Sequence, residues 1–347
     1  MTSRERVLAA FEHREGDLVP RWCGASPGFW DKAKRELGIA DDEGLRLRFG
    51  DDFRRVFARY AGPEFSLSPG STSRTPFGVE RHGIGYGQPT SHPLAGAALG
   101  EVHDYPWPDP AWMDASAVRT EARAWDGRYA VLGGDWSPFF HDAIDLLGME
   151  GLLLAMYDEP PVVDAVMGHL LDYYAAVSER IFDAAADAID VFFIGNDLGG
   201  RAGPLLSPAL FDRFVLPHLR RLIDLGHAYR LRVMLHCCGG FAPLIPSLID
   251  AGLDAVHAVQ PSCAGMDLRV LKAEFGRRIL FNGCIDSHHV LIEGTEASVR
   301  AATREVLEIM MPGGGFIAGA SHDWILEETP VENVLAMFDA VADFGRY

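Results

Sequence analysis

Apolar positions along this chain fall into two alternating rhythms. Short apolar runs bounded by polar residues or glycine alternate with longer stretches in which apolar residues recur every three or four positions. The first rhythm suits buried parallel strands and the second suits amphipathic helices. Ser3–Arg14 reads as an amphipathic helix that ends before Pro20, and Leu18–Cys23 as a first strand. Residues 27–60 read as helical, with Phe29, Trp30, Ala33 and Leu37 on one face. Arg54, Arg55 and Arg59 fall on this helix, at least two of them on a solvated face. Residues 61–113 break the rhythm with Gly, Pro, Ser and aromatics, as binding lids or small β excursions do. Strands are then expected at Tyr129–Gly134, Val191–Gly195, Leu231–Leu235, 254–259, 279–283 and 315–320. Helices are expected at Ile144–Tyr157, from Pro160, from Ser207 to about Tyr229 with a kink at Pro217, and at 241–251, 267–275, 295–310 and 331–345. Such alternation means βα units and a parallel sheet. With the early strand, the expectation is an α/β fold, a (β/α)8 TIM barrel: one domain over 1–347, with an elaborated N-terminal part (1–114) and regular units over 115–347.

A barrel gathers its chemistry at the C-terminal ends of its strands. Those ends carry Asp135 and Trp136; Asn196 and Asp197; His236 and Cys238; Gln260 and Pro261; Cys284 and Asp286; and Ser321, His322 and Asp323. Imidazole and thiolate are preferred ligands of a zinc-type ion, and His236-x-Cys238 lets both turn toward one point. His322, across the mouth, is the expected third ligand of a site with one open position. The alternative is a metal-free pocket in which both histidines hydrogen-bond. Cys237 points to the opposite side of its strand as a small buried hydrophobe, and Cys284 faces the mouth as a reserve ligand or plain pocket residue. Asp135, Asp197 and Asp286 suit general acid–base work or the holding of substrate hydroxyls and ligand imidazoles, with helix capping as the other reading. Trp136 and Trp22 wall the pocket or pack in the core, and Asn196 and Gln260 line it. The glycines at 83, 85 and 87 do not lead from a strand into a helix, so they form no nucleotide-binding fingerprint.

Composition narrows the partners. The 347 residues are 48% apolar and 23% charged, and 31 Lys and Arg against 49 Asp and Glu leave a net charge of -18. Nucleic acid and anionic membrane both need cationic surface, so neither is an expected partner. The N-terminus is charged throughout with no apolar signal core, and no apolar run is long enough to span a bilayer. Five cysteines, two of them adjacent, form no disulfide framework. A reducing cytoplasm is the expected location.

Several segments together resemble the uroporphyrinogen decarboxylase-like superfamily. They are D-D-F-R-R-V at 51–56, F-G-V-E-R at 77–81, H-P-L-A at 92–95, Y-P-W-P-D-P at 105–110, N-D-L-G-G-R-A-G-P-L-L-S-P at 196–208, H-C-C-G at 236–239, V-Q-P-S-C-A-G-M-D at 259–267, N-G-C-I-D at 282–286 and G-G-G-F-I-A-G-A-S-H at 313–322. The resemblance implies a (β/α)8 barrel and one of two activities. One branch decarboxylates uroporphyrinogen without a cofactor. The other contains zinc methyltransferases that move a methyl group between a corrinoid and a thiol or other acceptor. The second branch uses His-x-Cys and a later Cys as ligands, which places His236 and Cys238 on the first two and His322 where the later Cys belongs. One thiolate and two neutral imidazoles would leave the ion about one charge positive, favouring oxygen-bound methyl groups over thiolates. The R-Q-A-G-R segment of the decarboxylase branch is missing, with R-W-C-G-A-S-P at 21–27 in its place. A methyltransferase is therefore the expected function, with zinc, a corrinoid protein as partner and a homodimer implied by the resemblance. A metal-free decarboxylase and an inactive small-molecule binder are the alternatives.

Overall fold

A computed structural model describes residues 1–83 and 87–347, so Gly85 of the glycine run lies outside the described residues. Seven parallel strands form its main sheet in sequence order: β1 (Phe53–Arg55), β2 (Ala130–Gly133), β3 (Val191–Gly195), β4 (Arg232–His236), β5 (Ala255–Val259), β6 (Leu280–Ile285) and β7 (Phe316–Ala320). The expected first strand is reduced to bridges, yet it fills the eighth place. Arg21 pairs with Ala318 of β7, the Trp22 N–H donates to the Ala318 carbonyl at 2.9 Å, and the Asp52 N–H donates to the Arg21 carbonyl at 3.0 Å. The sheet thus curls into a TIM-barrel-like arrangement with helices around it.

Inside the curl, inward residues of successive strands pack together: Trp22, Phe53, Leu132, Val191, Phe193, Met234, Ala255, Leu280 and Ile317. Val7, Ala10 and Phe11 of α1 (Ser3–Phe11) join this cluster, so the helix covers one end of the barrel. A Thr2–Glu5 capping box starts α1. A larger apolar layer between sheet and helices holds the outward residues, Cys237 among them.

The segment 27–60 is not one helix. Helix α2 (Pro27–Leu37) ends at Gly38, φ 66°, and α3 (Asp42–Phe49) ends at Gly50, φ 68°. Both glycines take the left-handed conformation that terminates helices. A side chain at Gly50 would also collide with the Arg21 guanidinium. The chain then enters β1, where Arg54 and Arg55 sit on a strand rather than on a solvated helix. Arg54 is buried in a two-pronged pair with Glu43, and of the three arginines Arg59 alone is strongly exposed. Ser73–Arg74, Glu80–His82 and Gln88–Pro89 pair as three short antiparallel strands, a small β excursion of the kind expected of this region. The helix from Ser207 is interrupted at 211–215 and resumes as Leu216–Ala228 with Pro217 in its first turn.

Candidate active site

Strand register sets the geometry of the mouth. His236, the last residue of β4, lies beside Gly195 of β3 and His257 of β5. A Cβ on Gly195 would collide with the Trp136 ring, so the missing side chain makes room for that indole. Trp136 then stands 5.3 Å, ring to ring, from His236. The turn after β4 meets the loop after β3 through glycines on both sides. The Gly240 N–H donates to the Gly200 carbonyl at 2.8 Å. A side chain on Gly239, φ 81°, would collide with the Gly199 backbone. This close approach, open only to glycine, lays Asp197 against the Cys238 turn.

One imidazole, one thiol and one carboxylate meet there. His236 Nε2 lies 3.3 Å from Cys238 Sγ and 3.3 Å from Asp197 Oδ1. The Cys238 N–H donates to Asp197 Oδ1 at 2.9 Å. The ligand-type atoms of Asp197, His236 and Cys238 all lie within 4.8 Å of one another. His141 Nε2 approaches the other Asp197 oxygen at 3.4 Å. On its far side, His236 Nδ1 meets His257 Nδ1 at 3.1 Å, and Asp323 groups with these two histidines.

Burial alone would push the Asp197 carboxyl up. The His236 hydrogen bond and charge, His141 and the Cys238 N–H together hold it well below the usual carboxylate range. His236 is 5% exposed. Burial pulls its imidazole down, but the Asp197 hydrogen bond and the Asp323 and Asp197 charges outweigh that and raise it. Burial, then Asp197, push the Cys238 thiol far up. A second negative charge is thus disfavoured beside Asp197 unless a cation joins it. A donor set of nitrogen, sulfur and oxygen around such a point fits a divalent ion of the zinc type.

A cavity of about 420 Å³ opens over this cluster, walled by Trp136, Pro138, His141, Asp142, His322 and Trp324, with Arg81 and 87–89 of the small β excursion at its edge. Asp142 is hydrogen-bonded by Tyr174 and lies 3.8 Å from Arg81, which pairs with Asp145. Burial pushes its carboxyl up to about 7.

The other expected site residues divide. His322 stands on the wall of this cavity but outside the cluster, its Nδ1 2.9 Å from the Trp324 carbonyl oxygen. Trp22 packs inside the barrel against Phe53, Phe193 and His257. Asp135 accepts the Ser137 N–H at 2.9 Å, and burial raises its carboxyl to about 6. Asn196 spends both ends of its amide on backbone, accepting from the Phe140 N–H and donating to the Ser137 carbonyl. Gln260 accepts the Gly239 N–H and so pins the Cys238 turn. Cys284 does not face the mouth: it is fully buried in the layer between sheet and helices, because φ at this residue, 75°, breaks the strand alternation. Asp286 caps the next turn, accepting the His288 and His289 N–H groups at 2.8 Å each. Sequence reasoning missed His257 and His141, named Asp323 at its strand end without giving it a role, and put Arg55 on a helix. For His257 a signal existed, because 257 shares the inward parity of Ala255 in β5.

A parallel barrel with ligand-type side chains gathered at its strand ends is the architecture of an enzyme of the βα-barrel class. The family model for uroporphyrinogen decarboxylase (URO-D) matches residues 109–344, and the chain belongs to that family. Among curated relatives, a uroporphyrinogen decarboxylase of Syntrophotalea carbinolica is 28% identical over 236 residues, 65% of this chain and 62% of that protein. Its counterpart in Coxiella burnetii is 24% identical over 238 residues, 66% of this chain and 62% of that protein. The chain thus spans less than two thirds of these relatives. Among solved structures, a methyltransferase from Methanosarcina mazei shares the fold over 99% of both chains, with a TM-score of 0.69 and 20% identity. Among the described residues no helix is long and apolar enough to cross a membrane.

Proposed function

We propose that the chain is a metal-dependent methyltransferase that moves a methyl group between a small molecule in the His236 cavity and a corrinoid or thiol acceptor. The supporting observation is the meeting of Asp197, His236 and Cys238 within 4.8 Å at the cavity wall. His236 and Cys238 would hold a zinc ion, with Asp197 as third donor; His322 on the same wall is the other third ligand. Bound there, the ion would supply Lewis acidity to a substrate heteroatom in the open position. With Asp197 in the set the centre is near-neutral, which keeps a thiol acceptor in reach. With His322 instead it is about one charge positive and favours an oxygen-bound methyl group.

The chain's own residues would do the rest. Hydrogen bonding at Nδ1 by His257 orients the His236 ring so that Nε2 faces Cys238 and Asp197. Trp136 and Trp324 wall the cavity against water. Asp142, which holds its proton to about pH 7, can give it to a heteroatom that has lost its methyl group. A corrinoid protein as partner and a homodimer follow from the family resemblance, and a cytoplasmic location from the composition.

The names of the curated relatives support a second reading, a metal-free carboxy-lyase of the uroporphyrinogen decarboxylase type. Against it stand the cavity of about 420 Å³, near the low end of the ~300–1,000 Å³ range of small-molecule sites, and the scarcity of arginine and lysine in its lining. Arg81 is the arginine on that wall, and it is tied to Asp145 and Asp142. The test is to incubate zinc-supplied protein with methylcobalamin and a thiol and follow the corrinoid spectrum. Demethylation that depends on His236 and Cys238 is the expected result. Carbon dioxide release from a porphyrinogen, with no corrinoid turnover, would overturn it in favour of the lyase.

A further inference from the structure

The turn after β6 carries two adjacent, exposed histidines, His288 and His289, and ends at an exposed carboxylate, Glu293. On an α-helix, neighbouring side chains stand three or four positions apart, so 288 and 293 would not share a face. Residues 287–292 instead form a wider, π-helical turn. The Leu291 N–H donates to the Asp286 carbonyl and the Glu293 N–H to the His288 carbonyl, each at 3.0 Å and each five residues back. The widening brings Glu293 to both imidazoles. His288 Nε2 lies 3.4 Å from one of its carboxylate oxygens and His289 Nδ1 3.0 Å from the other. The ligand-type atoms of all three residues lie within 4.8 Å of one another.

Two features favour an ion here over two surface ion pairs. Exposed ion pairs hold long side chains only weakly, yet two rings turn their nitrogens on one carboxylate. Turns of this width are rare, and they occur frequently at functional sites. Two imidazoles and a carboxylate are also a ligand set that holds zinc with one position open. Magnesium and calcium take oxygen ligands and are poorly served by imidazole. In a chain of net charge -18, the overall field draws cations to the surface.

The trio stands at the edge of the barrel mouth. Ser287 and His288 line a hollow of about 230 Å³ whose walls include Ser321, His322 and Trp324. His322 and Trp324 also wall the His236 cavity. The trio nevertheless shares no residue with the Asp197–His236–Cys238 cluster.

We propose that His288, His289 and Glu293 hold a divalent ion of the zinc type, separate from the His236 cluster and with water completing its coordination. By joining 288 and 289 to 293, the ion ties the wide turn together at the edge of the mouth. The inference does not rest on the methyltransferase reading: it needs neither an ion at His236 nor a substrate.

The test compares zinc binding by the full native chain and by Glu293→Gln, each stripped with a chelator and titrated by equilibrium dialysis. Because the difference is read, an ion at the His236 cluster cancels. The native chain is expected to hold about one zinc more than the variant, and excess magnesium should not displace it. His288→Ala and His289→Ala should behave as Glu293→Gln does. Each should weaken the site by more than the about 10–100-fold that loss of an outer-shell partner costs. All three side chains are exposed, and thermal melts confirm that the variants fold. Zinc should also shield His288 and His289 of the native chain from diethyl pyrocarbonate, read peptide by peptide by mass spectrometry. Equal zinc in the native chain and Glu293→Gln, displacement by magnesium, or labelling of both histidines unchanged by zinc would overturn the proposal. Glu293→Gln is also the background in which zinc at the His236 cluster is read alone.

Discussion

At the ends of β3 and β4, Asp197, His236 and Cys238 turn ligand-type atoms toward one another within 4.8 Å. At the ends of β6 and β7, Cys284, Asp286 and His322 are equally polar in sequence, yet their side chains go to the helix layer, the next turn's N–H groups and the Trp324 backbone. The difference lies in what each backbone asks of its neighbours. Glycines at 199, 200, 239 and 240 let two loops touch main chain to main chain and satisfy each other. The turn after β6 leaves free N–H groups, and Asp286 is spent on capping them. A polar residue at a strand end becomes site chemistry when the local backbone does not need it.

Two carboxyls raised by burial, Asp142 and Asp135, lie on the cluster side, where function can be set against stability. The largest predicted effect follows from that. Asp142 has an ordinary value of 3.8 and a folded value of about 7, and Asp135 is raised to about 6. Between pH ~4 and ~7 the unfolded chain has released protons that the folded chain keeps. The stability these two carboxyls contribute is therefore fully present below about pH 4 and is lost as pH rises toward 7, something on the order of 4 kcal/mol for Asp142. Melts of the native chain and Asp142→Asn across this window should show a flatter profile in the variant; parallel profiles would remove the contrast. Gly195→Ala comes next. Its new Cβ must displace Trp136, at a cost of up to about 3 kcal/mol by urea denaturation. Native-like stability there would mean that the indole does not stand where the register puts it.

Asp197→Asn should weaken zinc binding by about 10–100-fold even if the carboxylate only orients the ligands, and by more if it is one of them; a competition titration with a chromogenic chelator reads this. The smallest effect belongs to the opposite arc. Asp286→Ala should cost about 1 kcal/mol of stability, the value of a helix cap, and leave zinc affinity unchanged. A loss of zinc in that variant would erase the distinction between the two arcs.

Much of the barrel was legible because βα alternation is a property of hydrophobic period, and the period survives in every unit from residue 115 on. Short elements escaped. The strand Phe53–Arg55 is too brief to show a period, and the apolar face of 27–37 extended a helical reading across two glycine stops. In the site, His236-x-Cys238 was legible because spacing and chemistry coincide in one segment. Asp197 was read as a catalytic carboxylate, and only the Gly199–Gly239 contact brings it to the thiol. Arg55 could not be placed without knowing that β1 is a strand, and His257, whose parity marks it as inward, could not be set beside His236 without their shared register.

The central claim is that the Asp197–His236–Cys238 cluster holds a metal ion. Its most direct test is metal content by mass spectrometry on tag-free protein after zinc reconstitution and dialysis. A Glu293→Gln background keeps the exposed His288–His289–Glu293 trio from adding a second ion. The account predicts about one zinc per chain, lost in His236→Ala and in Cys238→Ser, with Asp197→Asn and His322→Ala showing which residue is the third ligand. A reconstituted chain without zinc, or one that keeps it in both His236→Ala and Cys238→Ser, would contradict the account.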